Sequence, residues 1–409
     1  MKPISFIQPS RNTLKYLKWS YNSIRKNLGY IHEICMADDF SDDGTWEWMK
    51  EITEKDKNVK IHRNEGPKRL GHTILYDTLI NDYATNDIVM IFHSDMYAGP
   101  GIDEQINNFI QKGVVVSITR IEPPLHPAGP EKIIEDYGIE PEEFDEIKFL
   151  NDYDSYKRKT NTGGIFAPWA IMKEDFQSIG GHDPLFAPQS KEDSDIFNRF
   201  VLNGYTVLQT WDAFVYHMTC RGSRFADGAK RNPDGQVFMK NRETDEWLKQ
   251  NERSTRNFIR KWGSMVNHDS ILRPIIAPKY DIGFVIYNCH HTTLELLEPW
   301  CSKIYVELNV STFGFPSITK YINEEDKNTA FNMYKRVYYV PDDGDVNKLN
   351  NIIVEFDAQK LTNENFKFLT QLPNVLKDSG EIGEMEYDIF KITINSLETY
   401  EKELIICKK

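Results

Sequence analysis

The feature that most constrains this chain is an alternation, through roughly its first hundred residues, of short apolar runs with stretches of helical period. Ile4 to Gln8, His32 to Ala37, Val59 to Arg63 and Ile88 to His93 have strand length and apolar, β-branched character. Between them, Thr13 to Asn27, Thr45 to Lys55 and Leu70 to Tyr83 space their apolar residues as helices do, with Leu14, Leu17, Tyr21 and Ile24 on one face of the first. This alternation predicts an α/β unit with a doubly wound, mainly parallel sheet. Ligands of such sheets collect beyond the carboxyl ends of the strands, so chemistry is expected in the residues that follow each one.

Those residues are polar. Pro9, Ser10, Arg11 and Asn12 follow the first strand, Asp38 and Asp39 open the run ADDFSDDGT after the second, and His93, Ser94 and Asp95 follow the fourth in FHSDMYAGPG. Taken singly, DDGT is also a good turn and helix start, and an aspartate after a strand is also a cap. Three such ends in order, aimed at one pole, argue for a site. The stretch from Ile179 to His217 adds to it. Ile196, Phe197, Phe200 and Val201 form a helical stripe with Asp195, Arg199 and Asn203 on the other side, and Asp193 continues the stripe at the helix start. An inward carboxylate near a histidine suits a working acid or base, whereas Glu192 reads as a solvated charge complementing the helix dipole. His217 ends the apolar strand AFVY.

With 409 residues the chain is too long for one ordinary core, and two units are expected. Its 49 basic against 62 acidic residues, a net −13, oppose binding to nucleic acid or an anionic membrane surface. Five scattered cysteines without a C-x-x-C pair indicate neither a disulfide framework nor a zinc site and fit a reducing, cytoplasmic setting. No run approaches a signal peptide or the ~20 apolar residues of a transmembrane helix, so a soluble protein is expected. From Glu122 to Lys159 the pattern weakens into an acidic, Pro-rich connection, expected to be a loop or lid that binds the acceptor. Arg221 to Trp262 carries 11 basic against 6 acidic residues and a helix over Met239 to Trp262; either its charges pair along the helix, or Arg221 and Arg224 fold over a diphosphate. Beyond Pro274 strands are expected at Asp281–Asn288, Lys303–Asn309, Arg336–Pro341, Asn351–Asp357 and Leu404–Cys407. Helices are expected near Thr293–Trp300, Glu324–Tyr334 and Asn363–Leu376, giving a second, smaller α/β domain without a chemical motif. The expected division is therefore 1–220, a basic helical arm 221–274, and 275–409.

As an ordered set, these motifs make residues 1–220 resemble a family-2 glycosyltransferase of the GT-A fold. The resemblance implies that Gln8 to Asn12 and ADDFSDDGT form a nucleotide pocket, with Asp39 accepting from a base imide, Pro9 a rigid backbone edge, and Asp38 a second contact or the cap of the turn. It matches His93, Ser94 and Asp95 to the family's metal-carrying D-x-D, Gly180 to Phe186 to GG-x-D-x-x-F, Glu192 and Asp193 to the ED pair, and His217 to the last-strand histidine. One departure stands out. His93 replaces the first acid of D-x-D and reads as a backbone-bonded strand-end histidine, leaving Asp95 and His217 for the metal. The resemblance implies an inverting, metal-dependent transfer of one sugar from a nucleotide-sugar, UDP favoured, to a hydroxyl of a glycan, glycolipid or glycoprotein. Asp193 is the expected base and Mn²⁺ or Mg²⁺ the cation. Lys68 and Arg69, in GPKRLGH, either reach the nucleotide phosphates or are loop charges. The rivals are a sugar-phosphate nucleotidyltransferase, disfavoured because QPSRN has no glycine, and an inactive sugar-nucleotide or glycan-binding protein.

Overall fold

A computed structural model describes residues 1–219, 221, 229–239, 243–307, 314–340 and 350–407, with backbone alone for 314–317. The chain divides into two units, Met1–Asn251 with His268–Pro274 and Ile406–Lys409, and Glu252–Asn267 with Ile275–Ile405. The first unit runs β1 (Ile4–Ser10), α1 (Leu14–Asn27), β2 (Glu33–Asp39), α2 (Thr45–Lys55), β3 (Val59–Asn64), α3 (Gly71–Thr78), β4 (Ile88–Ile91), β5 (Met96–Ala98) and α4 (Ile102–Phe109). It continues through β6 (Val114–Glu122), β7 (Lys132–Ile134), α5 (Glu146–Asp152), β8 (Asn161–Thr162), β9 (Trp169–Met172), α6 (Lys173–Ser178), α7 (Glu192–Leu202), β10 (Thr206–His217), β11 (Ala229–Arg231) and β12 (Val237–Met239). The expected helix from Leu70 to Tyr83 is α3 followed by a π-helical turn over Leu79–Tyr83.

The sheet follows the order β3-β2-β1-β4-β9-β6-β10-β5, with β7 on β6 and β8 on β10. β1 to β4 are mutually parallel and β10 is parallel to β6, while β9 runs antiparallel between β4 and β6. It is the expected doubly wound, mainly parallel sheet. Chain order reverses at β1, with β2 and β3 to one side and β4 to the other, so a crevice opens at the carboxyl ends of β1 and β4. Leu17, Ile24, Met49 and Ile102 pack on Phe6, Ile34, Met36 and Met90 on one face.

On the other face, residues 122–159 are tied down at several points. Tyr137, Phe149 and Tyr153 are 2%, 0% and 3% exposed and pack with Tyr97, Phe214 and Tyr216. The Tyr216 hydroxyl donates to Gly138 O at 2.6 Å, and the Tyr153 hydroxyl to Pro100 O at 2.9 Å. This acidic segment is therefore anchored to the core by a few aromatics that have no regular period, while most of its residues stay at the surface. α7 departs from expectation too, because Asp195 and Arg199 are fully buried rather than solvated. The Arg199 guanidinium pairs with Asp195 at 2.9 Å and donates to Ile179 O and Gly181 O, carbonyls at the left-handed turn of Gly180 and Gly181.

α8 (Asp245–Trp262) begins in the first unit, and its residues from Glu252 belong to the second. There follow β13 (Ile282–Tyr287), α9 (His291–Leu297), β14 (Lys303–Val306), α10 (Gly314–Glu325), β15 (Val337–Tyr339), β16 (Ile352–Asp357), α11 (Asn363–Ser379), β17 (Gly383–Tyr387) and β18 (Phe390–Ile394). The sheet order is β15-β14-β13-β16-β18-β17, with β18 antiparallel to both of its neighbours. Two expectations fail here. Leu404–Cys407 is not a strand; Glu401–Leu404 is a 3₁₀ turn, and the sheet is completed by the β17–β18 hairpin. The helix expected over Glu324–Tyr334 stops at Glu325, where the Asp326 carboxylate accepts from Met333 N at 2.9 Å and closes a loop instead. Among the described residues no helix is long and apolar enough to cross a membrane.

Candidate active site

Strand register brings the site together. β5 pairs antiparallel with β10 so that Met96 faces His217, which sets Asp95 beside the histidine ring; Met218 N donates to Asp95 O at 3.1 Å. His217 Nε2 lies 3.4 Å from Asp95 Oδ1, and one ligand atom each from His93, Asp95 and His217 falls within 4.8 Å of the others. His93 thus stands with the metal candidates, not apart as a backbone-bonded histidine. Behind them, His217 Nδ1 meets Glu122 Oε1 at 2.7 Å, and Glu122 is held by Arg120 at 3.1 Å and Lys132 at 2.9 Å.

Burial opposes charge on His217, but the Asp95 and Glu122 carboxylates outweigh it and raise its pKa. Burial pushes the His93 pKa down to about 3, so that ring is a neutral donor. Burial acts to raise Asp95 and Glu122, yet both sit below the ordinary range because His217, joined at Glu122 by Arg120 and Lys132, favours their anions. A carboxylate on Nδ1 fixes which ring nitrogen faces forward, the arrangement that metal-binding histidines use.

An open cleft of ≈ 1120 Å³ spreads over this corner. Of the nucleotide candidates, Pro9, Ser10, Arg11, Arg69, Ser94 and Arg221 line it, as do Asp95 and His217. Ser10 and Thr13 hydroxyls lie 2.7 Å apart and Thr13 and Ser94 hydroxyls 3.2 Å apart, joining the ends of β1 and β4. Asp38, Asp39, Lys68 and Asp193 are not among the lining residues. The Asp39 carboxylate is engaged within the protein, accepting from Leu70 N at 3.0 Å, Gly71 N at 2.8 Å and the Asn64 amide at 2.7 Å, so it organises the 64–71 turn. Gly71 must be glycine, because its φ is +76° and a Cβ would meet Pro188 O at 2.0 Å. Asp38 accepts from Ser41 N at 3.2 Å, and its buried Oδ2 has no hydrogen-bond partner. Lys68 is exposed, and Arg69 donates to Gln189 at 2.7 Å. Arg221 donates to Thr219 O at 3.1 Å and to Ile139 O. Arg224 lies outside the described residues.

Asp193, partly exposed at the start of α7, has its pKa raised by burial, opposed by His182 and Arg120. Its neighbour Glu192 lines the cleft, against the expectation of a solvated charge. Glu122, Arg120, His72, Tyr76 and Trp247 also escaped the sequence reading. Glu122 ends β6, and the strand-end rule applied to Asp38 and Asp95 would have found it had VVVSITRIE been recognised as a strand. Trp247 and Lys230 carry the cleft wall beyond residue 220.

Residues 5–180 match the family described as Glycosyl transferase family 2. This stretch is a glycosyl transferase family 2 domain. The match includes Pro9 to Asn12, Asp38, Asp39 and His93 to Asp95, and ends before α7 and His217. The sheet is the doubly wound, mainly parallel one expected. Among curated proteins no similar chain is found. Solved structures similar to this chain include GalNAc-T7 with UDP, GalNAc and Mn²⁺, at 16% identity over 53% of this chain and 44% of that one, TM-score 0.40. A mannosyltransferase from Pyrobaculum calidifontis with GDP-Man and Mn²⁺ has 18% identity over 54% and 58%, TM-score 0.38. S. aureus TarS residues 1–349 have 16% identity over 53% and 60%, TM-score 0.37. The aligned part is therefore 44% to 60% of these chains, less than two thirds of each.

Proposed function

We propose that the first unit is an inverting glycosyltransferase that moves one sugar from a nucleoside-diphosphate donor, UDP-linked, to an acceptor hydroxyl of a glycan, glycolipid or glycoprotein. One observation carries this reading: the end of β1, the Asp95–His217 corner and the start of α7 share one cleft within a family-2 fold. The corner fits a divalent cation, because three donors lie within 4.8 Å and Glu122 holds the far nitrogen of His217. Asp95, His217 and His93 would hold it, and two imidazoles favour Mn²⁺ over Mg²⁺. A cation held there would neutralise charge on a departing diphosphate.

The chain's own groups do the rest. Pro9, Ser10 and Arg11 bound the nucleotide, with Asp38 behind them, and Arg69 and Arg221 face the phosphates as fixed cations. Asp193, next to the cleft-lining Glu192 at the start of α7, takes the proton as the acceptor oxygen attacks the anomeric carbon; the bond to the diphosphate breaks, and its electron pair leaves with the diphosphate. Inversion follows from this single displacement. A reducing, cytoplasmic setting suits the cysteines described, Cys35, Cys289, Cys301 and Cys407, all of which are free.

Incubation with UDP- and GDP-linked sugars and Mn²⁺ is expected to release nucleoside diphosphate, and EDTA to stop the release. Release of pyrophosphate, or no release with any donor, would overturn the reading. Mn²⁺ should also raise the melting temperature by mass action, and Asp95→Ala should abolish that rise without lowering the metal-free value by much. A rise that survives Asp95→Ala places the metal elsewhere.

A further inference from the structure

Glu192 is the first residue of α7, and its side chain does what an ordinary first-turn acid does not. It is 8% exposed, it lines the cleft, and its Oε2 is buried without a hydrogen-bond partner. A buried oxygen left unpaired costs stability and persists where a ligand completes it. Glu192 stands in the wall with Gln189, Ser190, His72 and Tyr76, close to the Asp95 corner. A group this deep can meet only the part of a ligand that becomes most enclosed. In a sugar-transfer cleft that part is the donor sugar, tethered to the diphosphate and in place before the acceptor closes the open side.

Two adjacent carboxyls, Glu192 buried and Asp193 partly exposed, do not both ionise easily. Burial, and then Asp193, raise the Glu192 pKa against the opposing pull of its backbone surroundings and Lys191. Of the two, only Asp193 has His182 and Arg120 to favour its anion, so Glu192 is the carboxyl whose charged form is the less favoured.

We propose that Oε2 of Glu192 hydrogen-bonds a hydroxyl of the donor sugar, making Glu192 a donor-selecting residue distinct from the base. The proposal rests on the glycosyltransferase reading above and deepens it. No covalent step passes through Glu192.

The test is calorimetric titration, with Mn²⁺ present, of UDP-glucose, UDP-N-acetylglucosamine, UDP-galactose and GDP-mannose, each paired with its bare nucleoside diphosphate. Wild type, Glu192→Gln and Glu192→Ala are compared. Glu192→Gln keeps a hydrogen-bonding side chain and should bind the preferred nucleotide-sugar within about threefold of wild type, while Glu192→Ala should lose about tenfold. Affinity for the bare diphosphate should be unchanged in both. Because the orphan carboxyl costs stability, Glu192→Ala should melt no lower than wild type, which separates loss of contact from loss of fold. Equal loss of nucleotide-sugar and diphosphate, or full sugar affinity in Glu192→Ala, overturns the assignment with the glycosyltransferase reading intact. Wild type that binds no nucleotide-sugar in the panel overturns both.

Discussion

Asp193→Asn is expected to lower the turnover of sugar transfer by ~10² to 10⁴ while leaving nucleotide-sugar affinity within a few-fold of wild type. The substitution keeps the side-chain shape and removes the negative charge and with it the capacity to accept a proton. Asp193 sits where burial raises its pKa above the usual aspartate value, so its anion is a stronger base than a free carboxylate; His182 and Arg120 keep that anion populated. A base must be deprotonated to act. Activity should therefore fall as pH drops through the raised Asp193 pKa, at a higher pH than an exposed aspartate would give, and the variant should lack this acid limb. Single-turnover kinetics with saturating donor, alongside calorimetric donor binding, separate chemistry from affinity. Near-normal turnover would remove Asp193 from the mechanism and leave Glu192 as the carboxyl to test.

The sequence was most legible where periodicity and burial coincide. β1, β2 and β4 are strands covered on both faces, the helices between the first four strands are amphipathic, and their spacing announces both. The metal corner was half legible. Asp95 and His217 follow from strand ends, but the third donor, His93, and the ring's anchor, Glu122, depend on how β4, β5, β6 and β10 register against one another. Non-local pairing of this kind has no local signature. Residues 132–156 were illegible for a related reason: Tyr137, Phe149 and Tyr153 are core side chains at irregular spacing, held by hydroxyl bonds to distant carbonyls. In α7 the failure was one of charge. A buried Asp195–Arg199 pair and a buried Glu192 look in sequence like a polar face, because charged residues are seldom buried. The β17–β18 hairpin was missed because four of the five β17 residues are exposed, so no alternation marks the strand.

Glu298→Ala is expected to produce the largest stability loss in the second unit, about 3–5 kcal/mol. Glu298 is fully buried in the turn after α9, and its carboxylate accepts from Arg260 at 2.6 Å, Arg336 at 2.5 Å and the Tyr321 hydroxyl at 2.9 Å. Arg260 is itself 1% exposed and Arg336 8%. Arg260 retains Glu325 at 2.6 Å, and Arg336 retains the carbonyls of Glu298 and Cys301, so the loss is bounded rather than total. Removing the shared anion still leaves two enclosed guanidiniums facing each other across a vacated volume. A concerted replacement of Glu298, Arg260 and Arg336 by apolar residues of similar size should cost far less than Glu298→Ala, because it removes the charges together with their burial cost. The same geometry sets the acid limit. Burial acts to raise the Glu298 pKa, but Arg336 and Arg260 outweigh it and hold the group at about 2 against an ordinary 4.5. With the folded value depressed, the contribution is present in full above pH 4.5 and is lost as pH falls toward about 2. Denaturant unfolding of wild type and Glu298→Ala between pH 7 and pH 3 should therefore give a gap that narrows as acid is added. A constant gap, or a loss under 1 kcal/mol at pH 7, would mean that Arg260 and Arg336 find other partners and that Glu298 does not organise this core.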